Sequence, residues 1–159
     1  MFDIEEYFAR VEKHLGSCRT TTVGVEMGVD GPHFFPSRER WEVITLNALV
    51  KWPSGEVLDV LDTWQRRRRN RLMRTFSYHF MHSTGDLIFR LDTHGEAIPS
   101  DGKCHIHVPL GGKEVMLEDD DSRLRGFRLS EIDFLSAFSL VHMHLKKGIG
   151  ENSMPWDPQ

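Results

Sequence analysis

No apolar run in the 159 residues approaches the ~20 needed to cross a bilayer as a helix, so no membrane-spanning helix is expected. The opening MFDIEEYFAR is acidic and amphipathic, where an export signal is basic and then uniformly apolar, which predicts a cytoplasmic location. Cysteine is scarce as well: Cys18 and Cys104 are the only two. They supply neither a disulfide framework nor a C-x-x-C motif, and they fit a reducing compartment. A glycine-rich phosphate loop is missing, and so is the G-x-S-x-G elbow, which leaves P-loop and serine-hydrolase chemistry without support. There is no internal repeat and no low-complexity linker. A hydrophobic fraction of 39% with 28% charged residues describes an ordinary globular chain. Its length predicts a single domain over residues 1–148, with 149–159 as a flexible tail.

Helical signals lie at the two ends. Asp3 stands as an N-cap with Glu6 three residues on, Phe2 is set to staple onto Tyr7, and Ile4, Phe8, Val11 and Leu15 recur at helical spacing before Gly16. Near the other end Ser130 reads as a cap with Asp133 at the third helical position. Phe134, Phe138, Val141 and Leu145 then form a stripe closed by Lys146, Lys147 and Gly148. Between them lie strand signals: Cys18–Met27, Trp41–Trp52, the return after the Pro53–Gly55 turn, two strands around Thr84 and Gly85, and CHIHVPL. GVDGPHFFPSRER reads as a loop, and so does the acidic EDDD at 118–121, with the option of folding over a basic stretch. Hairpin-length connections between about five or six strands predict an α+β fold, an antiparallel sheet with both helices on one face.

The stretch FSYHFMHSTGDLIFRLDTHGE carries the most chemistry. Period two puts Phe76, Tyr78, Phe80, Leu87, Phe89 and Leu91 on a core face and Ser77, His79, Arg90 and Asp92 on the other. A turn centred on Thr84 and Gly85 pairs Phe80 with Phe89, His79 with Arg90 and Ser77 with Asp92. His105 and His107, two apart on a strand, project from one face about 7 Å apart. A divalent metal would need a third ligand, with Asp92, His94 and His79 available; no other cofactor is indicated. The plainer alternative is polar filler on a half-solvated sheet. An arginine supported by a carboxylate beside a histidine suits phosphate recognition, its plain counterpart being a surface salt bridge. Six of the nine residues 66–74 are arginine, and Arg66, Arg67, Arg68, Arg69 and Arg71 form either a salt-dependent nucleic-acid patch or a charged edge. Asp59 and Asp62 rank lower as carboxylate partners, their plain reading being surface charge. Cys104 precedes HIH but points away from both imidazoles, so it makes a poor nucleophile.

Four stretches together carry a resemblance: MFDIEEYFARVEKHL, WPSGEVLDVLD, FSYHFMHSTGDLIFRLD and HIH. They resemble the TumE-like toxin family, small bacterial toxin–antitoxin proteins often described only as a domain of unknown function. The likeness covers residues 1 to about 108 and is strongest over YHF…GDLIFRLD. Tyr78 and His79 match the family's aromatic–histidine pair, Gly85 its turn, and Arg90 and Asp92 the polar residues of its next strand. His105 and His107 match the outer members of its closing histidine segment, and His94 stands near its first histidine pair at a shorter offset. Leu91, Thr93, Cys104 and Ile106 depart from its tyrosine, asparagine, histidine and lysine. The resemblance implies a type II toxin neutralised by a helix-turn-helix antitoxin. RNA is then the target class, with His79, Arg90, Asp92, His105 and His107 as the catalytic set. Two other outcomes stay open: a non-catalytic protein- or nucleic-acid-binding module, and an orphan relative without toxicity. The oligomeric state is not indicated.

Overall fold

The computed structural model describes residues 4–17, 22–34, 40–66, 72–93, 98–99, 104–124, 128–129 and 132–147. The chain runs α1 (Ile4–Ser17), β1 (Thr22–Phe34), β2 (Arg40–Lys51), β3 (Val57–Arg66), β4 (Leu72–Met81), β5 (Leu87–Asp92), β6 (Ile98–Pro99), β7 (His105–Leu110), β8 (Lys113–Glu118) and α2 (Phe134–Lys147), with a 3-10 turn at Ser122–Leu124 before α2. The strands form one antiparallel sheet in the order β1-β2-β3-β4-β5-β7-β8, with the two-residue β6 also paired to β4. The expected α+β class holds, and the six strands read from the sequence are joined by β6 and β8.

Alternation along the strands sorts the side chains. Ile44, Leu46, Ala48 and Val50 of β2 face Trp64, Val60 and Leu58 of β3, and the row continues through Phe76, Tyr78 and Phe80 to Phe89, Leu91, Ile106 and Leu117. Each of these is buried because both helices lie across this face. Tyr7 of α1 meets Trp64 edge-on with ring centroids 5.6 Å apart, and Phe138 of α2 lies 5.6 Å from Trp52. Phe134 and Val141 follow Phe138 into the core, with Leu145 half-buried, as the predicted stripe requires. In α1 the stripe is rotated slightly. Tyr7 and Val11 are buried while Phe8 and Leu15 are partly covered.

Four local readings change. Asp62, read as surface charge, is fully buried on the helix side, where Arg74 Nε and Nη2 donate to its carboxylate at 2.9 and 2.6 Å and the Tyr78 hydroxyl also donates to it. Arg74 Nη1 reaches the Ile132 carbonyl at 2.7 Å, tying the approach to α2 onto the sheet. Burial works against the Arg74 charge, but Tyr78 and Asp62 more than offset it and hold its pKa above the ordinary value. Secondly, α2 starts at Phe134, so Asp133 is the cap: its Oδ1 accepts from Ser136 N at 2.8 Å and Ser136 Oγ at 2.7 Å. Ser130 lies outside the described residues. Thirdly, β1 continues to Phe34 through the stretch expected to be a loop, with a register shift between Asp30 and His33. Finally, the EDDD acids act locally. Asp119 accepts from Leu129 N, and Asp121 takes Arg123 Nε and Nη2 at 2.9 and 2.6 Å. Residues 149–159 lie outside the described part, and among the described residues no helix is long and apolar enough to cross a membrane.

Candidate functional site

The turn at Gly85 fixes the β4–β5 register that builds the site. Gly85 takes φ 89° in the β4–β5 turn, and its N–H donates to the His82 carbonyl at 2.9 Å. The resulting pairs are Phe80 with Phe89, His79 with Arg90 and Ser77 with Asp92, as the sequence predicts. One correction occurs at the turn end. The register shifts at Met81, which faces Leu87, so that Ile88 is the extra, buried residue.

Because side chains alternate, the face away from the helices carries two polar rows. One runs Asp59, His79, Arg90, His107, Met116 across β3, β4, β5, β7 and β8. The neighbouring row runs Leu61, Ser77, Asp92, His105, Glu118. All five residues expected to be catalytic thus share one surface, with Arg90 between two imidazoles that stand two strand spacings, ~10 Å, apart at the backbone.

Contacts within the rows are charge-assisted. Asp92 lies at the centre: Arg90 Nε is 2.8 Å from its Oδ2 and His105 Nε2 is 2.7 Å from its Oδ1. The Arg90 Nε–H does not line up as a hydrogen bond, so that contact is charge against charge. His107 Nδ1 sits 2.8 Å from Glu114 Oε1, which Arg90 Nη2 also approaches at 3.4 Å. Ser77 Oγ and His79 Nε2 are 3.0 Å apart. Burial first, and the Arg90 charge second, push His79 below the usual histidine range against the opposing pull of Asp59 and Asp92. His107 is lowered by burial, then by Arg90 and His105, with Asp92 and Glu114 opposing. Both imidazoles are therefore neutral near pH 7, able to accept a proton or ligate a cation.

An open depression of about 370 Å³ borders these rows, lined by Leu61, Thr63, Thr75, Ser77, His79 and Arg90 among others. Its Arg90 side chain is 30% exposed, so the guanidinium remains within reach of solutes. Leu49, Leu61 and Met116, the exposed large hydrophobics of the described residues, all lie on this same face. One ligand atom from each of Asp92, His105 and His107 falls within 4.8 Å of the others, a set of donor types suited to a divalent cation.

Other sequence expectations fare differently. His94, named as a metal candidate, lies outside the described residues, as do Arg67, Arg68, Arg69 and Arg71; Arg66 is the last residue of β3. Cys104 is buried on the opposite side, its thiol pushed up to about 12 by burial and then by Asp119, which removes it as a nucleophile. Glu114 escaped the sequence reading because β8 did. The signal was available in Gly111 and Gly112, both with positive φ (57° and 77°), a two-residue hairpin turn between HVPL and KEVML. Comparison of the chain with protein-family models, with curated proteins and with solved structures finds no match.

Proposed function

We propose that this protein is the toxin of a type II toxin–antitoxin pair that acts in the cytoplasm on RNA, using the helix-free face of its sheet. The observation that carries the reading is the row His79, Arg90, His107, one cation flanked by two neutral imidazoles on three hydrogen-bonded strands, on the face away from the two helices. In this mechanism Arg90 donates to the non-bridging oxygens of a phosphodiester. His79 takes the proton of the adjacent ribose 2′-hydroxyl, which attacks phosphorus to give a 2′,3′-cyclic phosphate. The leaving 5′ oxygen receives its proton from His105, the histidine held by Asp92. Asp92 holds Arg90 and His105 in place from a nearly buried position. A helix-turn-helix antitoxin would neutralise such a toxin by covering the same face.

A second reading, a non-catalytic binding module, draws support from Leu49, Leu61 and Met116. These residues rim the polar rows with exposed apolar surface of the kind found at docking sites. Induced expression in a bacterial host separates the two. The wild type should arrest growth and leave RNA fragments with 2′,3′-cyclic ends, whereas His79→Ala and Arg90→Ala, each checked for folding by circular dichroism, should do neither. Arrest that persists in both folded variants would rule out this catalytic row, and a soluble, folded wild type without arrest points to the module.

A further inference from the structure

We infer that Asp92, His105 and His107 form a binding site for one divalent first-row transition cation, of which zinc and manganese are the natural candidates. The inference stands on geometry alone and does not depend on the RNA reading.

The three donors come from neighbouring strands, so the sheet fixes their spacing. Asp92 and His105 are register partners on β5 and β7, and His107 follows His105 by one pleat. Their ligand atoms lie within 4.8 Å of one another, and Asp92 Oδ1 and His105 Nε2 are already 2.7 Å apart. Two ligands each ~2.0–2.1 Å from one ion sit about 3 Å apart, so this pair needs almost no movement and His107 must close by an ångström or two. The hydrogen between Asp92 and His105 occupies the place a cation would take. On binding that hydrogen is displaced, the ring keeping its single N–H on Nδ1, and both atoms become ligands of the metal.

What lies behind the donors is the second, independent observation. Arg90 Nε stands 2.8 Å from Asp92 Oδ2, the oxygen turned away from His105, and Glu114 Oε1 stands 2.8 Å from His107 Nδ1, which assigns ligation to Nε2. Carboxylate behind histidine is the arrangement that fixes ring orientation and raises ligand basicity at metal centres. Asp92 and His105 are nearly buried, at 8% and 9% exposure, and so is the His107 side chain at 12%, all on the face away from the helices. Three protein donors leave a fourth position of a tetrahedral ion for water. Two imidazoles and one carboxylate favour Zn²⁺, Mn²⁺ or Fe²⁺ over Ca²⁺ and Mg²⁺, which take all-oxygen shells.

The test is calorimetric titration of the chelator-stripped full chain with ZnCl₂ and MnCl₂, with Co²⁺ absorption as a spectroscopic report of nitrogen and oxygen ligation. One equivalent should bind, and His105→Ala and His107→Ala should each weaken affinity at least ~100-fold while retaining the wild-type dichroism spectrum. Glu114→Gln, at a half-exposed position, serves if the histidine variants fail to fold. It should keep the stoichiometry and weaken affinity ~10-fold or more, the usual effect of losing an outer-shell partner. No binding by the wild type, or binding that survives unchanged in these variants through other histidines, would overturn the site. As no RNA enters the titration, either result leaves the growth assay to judge the catalytic reading separately.

Discussion

Tyr78 is the residue whose role the sequence described least well. Period two predicted that it faces the core, and it does, but its hydroxyl there joins a buried ion pair, donating to Asp62 and accepting from Arg74 Nη2 at 2.7 Å. Asp62 shares parity with Leu58, Val60 and Trp64, so strand periodicity alone would have put it inside. Its charge argued for the surface because the partner that neutralises it, Arg74, sits inside a run of arginines that reads as one solvated block. Tyr78→Phe should therefore cost about 1.5–3 kcal/mol in urea unfolding, the worth of hydrogen bonds to charged groups. The same phenol predicts alkaline lability. Burial, then Asp62, raise the Tyr78 pKa well above its usual 10.0, and burial, then Asp133 and Asp62, raise Tyr7. A raised folded pKa means that the unfolded chain releases its protons first. The contribution is fully present below pH 10 and lost as pH rises toward the folded values. Unfolding free energy should be level through neutrality and decline above pH 10, less steeply in Tyr78→Phe.

Hairpins are the elements from which the site is made, and their turns were the most legible part of the sequence. Proline and glycine at Pro53 and Gly55, and glycine at Gly85, marked both turns, and the second fixed the His79–Arg90 register. Side-by-side packing of those turns was not legible, since it depends on how the sheet twists. A Cβ on Gly55, which takes φ 101°, would stand 2.7 Å from Ser83 Cβ, whereas one on Gly85 would meet nothing within 4 Å. Gly55→Ala should thus cost more than Gly85→Ala. Each carries a backbone penalty of ~1–3 kcal/mol, and only the first adds a clash between hairpins. Comparing their urea midpoints checks the difference. The cap of α2 shows the opposite failure. Ser130 and Asp133 both satisfy cap chemistry, and the choice is made by Phe134 N, which donates to the Tyr7 hydroxyl at 3.1 Å across 127 residues of chain. No local pattern carries that information.

At the scale of the whole molecule the sheet has two unlike faces, one roofed by α1 and α2 and one that no helix covers among the described residues. Sequence periodicity separates the two sets of side chains but does not say which set the helices cover with equal force at every strand. Aromatic residues on the Phe76 side decide it. The other side then collects Arg90, the histidines and the exposed Leu49, Leu61 and Met116. If that side meets a phosphate backbone through Arg90, Arg90→Ala should weaken binding to a single-stranded RNA and reduce the slope of log affinity against log salt by about 1. An unchanged slope in a filter-binding or anisotropy titration would assign the RNA contact elsewhere.

Among the strands on the sheet path, most neighbours are also close in sequence, with no more than five residues between them everywhere except from β5 to β7. Such a wiring keeps loop-closure entropy small at those steps, so the sheet can zip outward from whichever hairpin forms first. The longest-range contact is the bond between Tyr7 and Phe134, which joins the two helices across 127 residues. It rewards the chain only after everything between them is in place. Tyr7→Phe should accordingly leave the refolding rate in stopped-flow kinetics near that of the wild type and accelerate unfolding, so that lifetime of the folded state, rather than speed of reaching it, is governed by a contact between the helices.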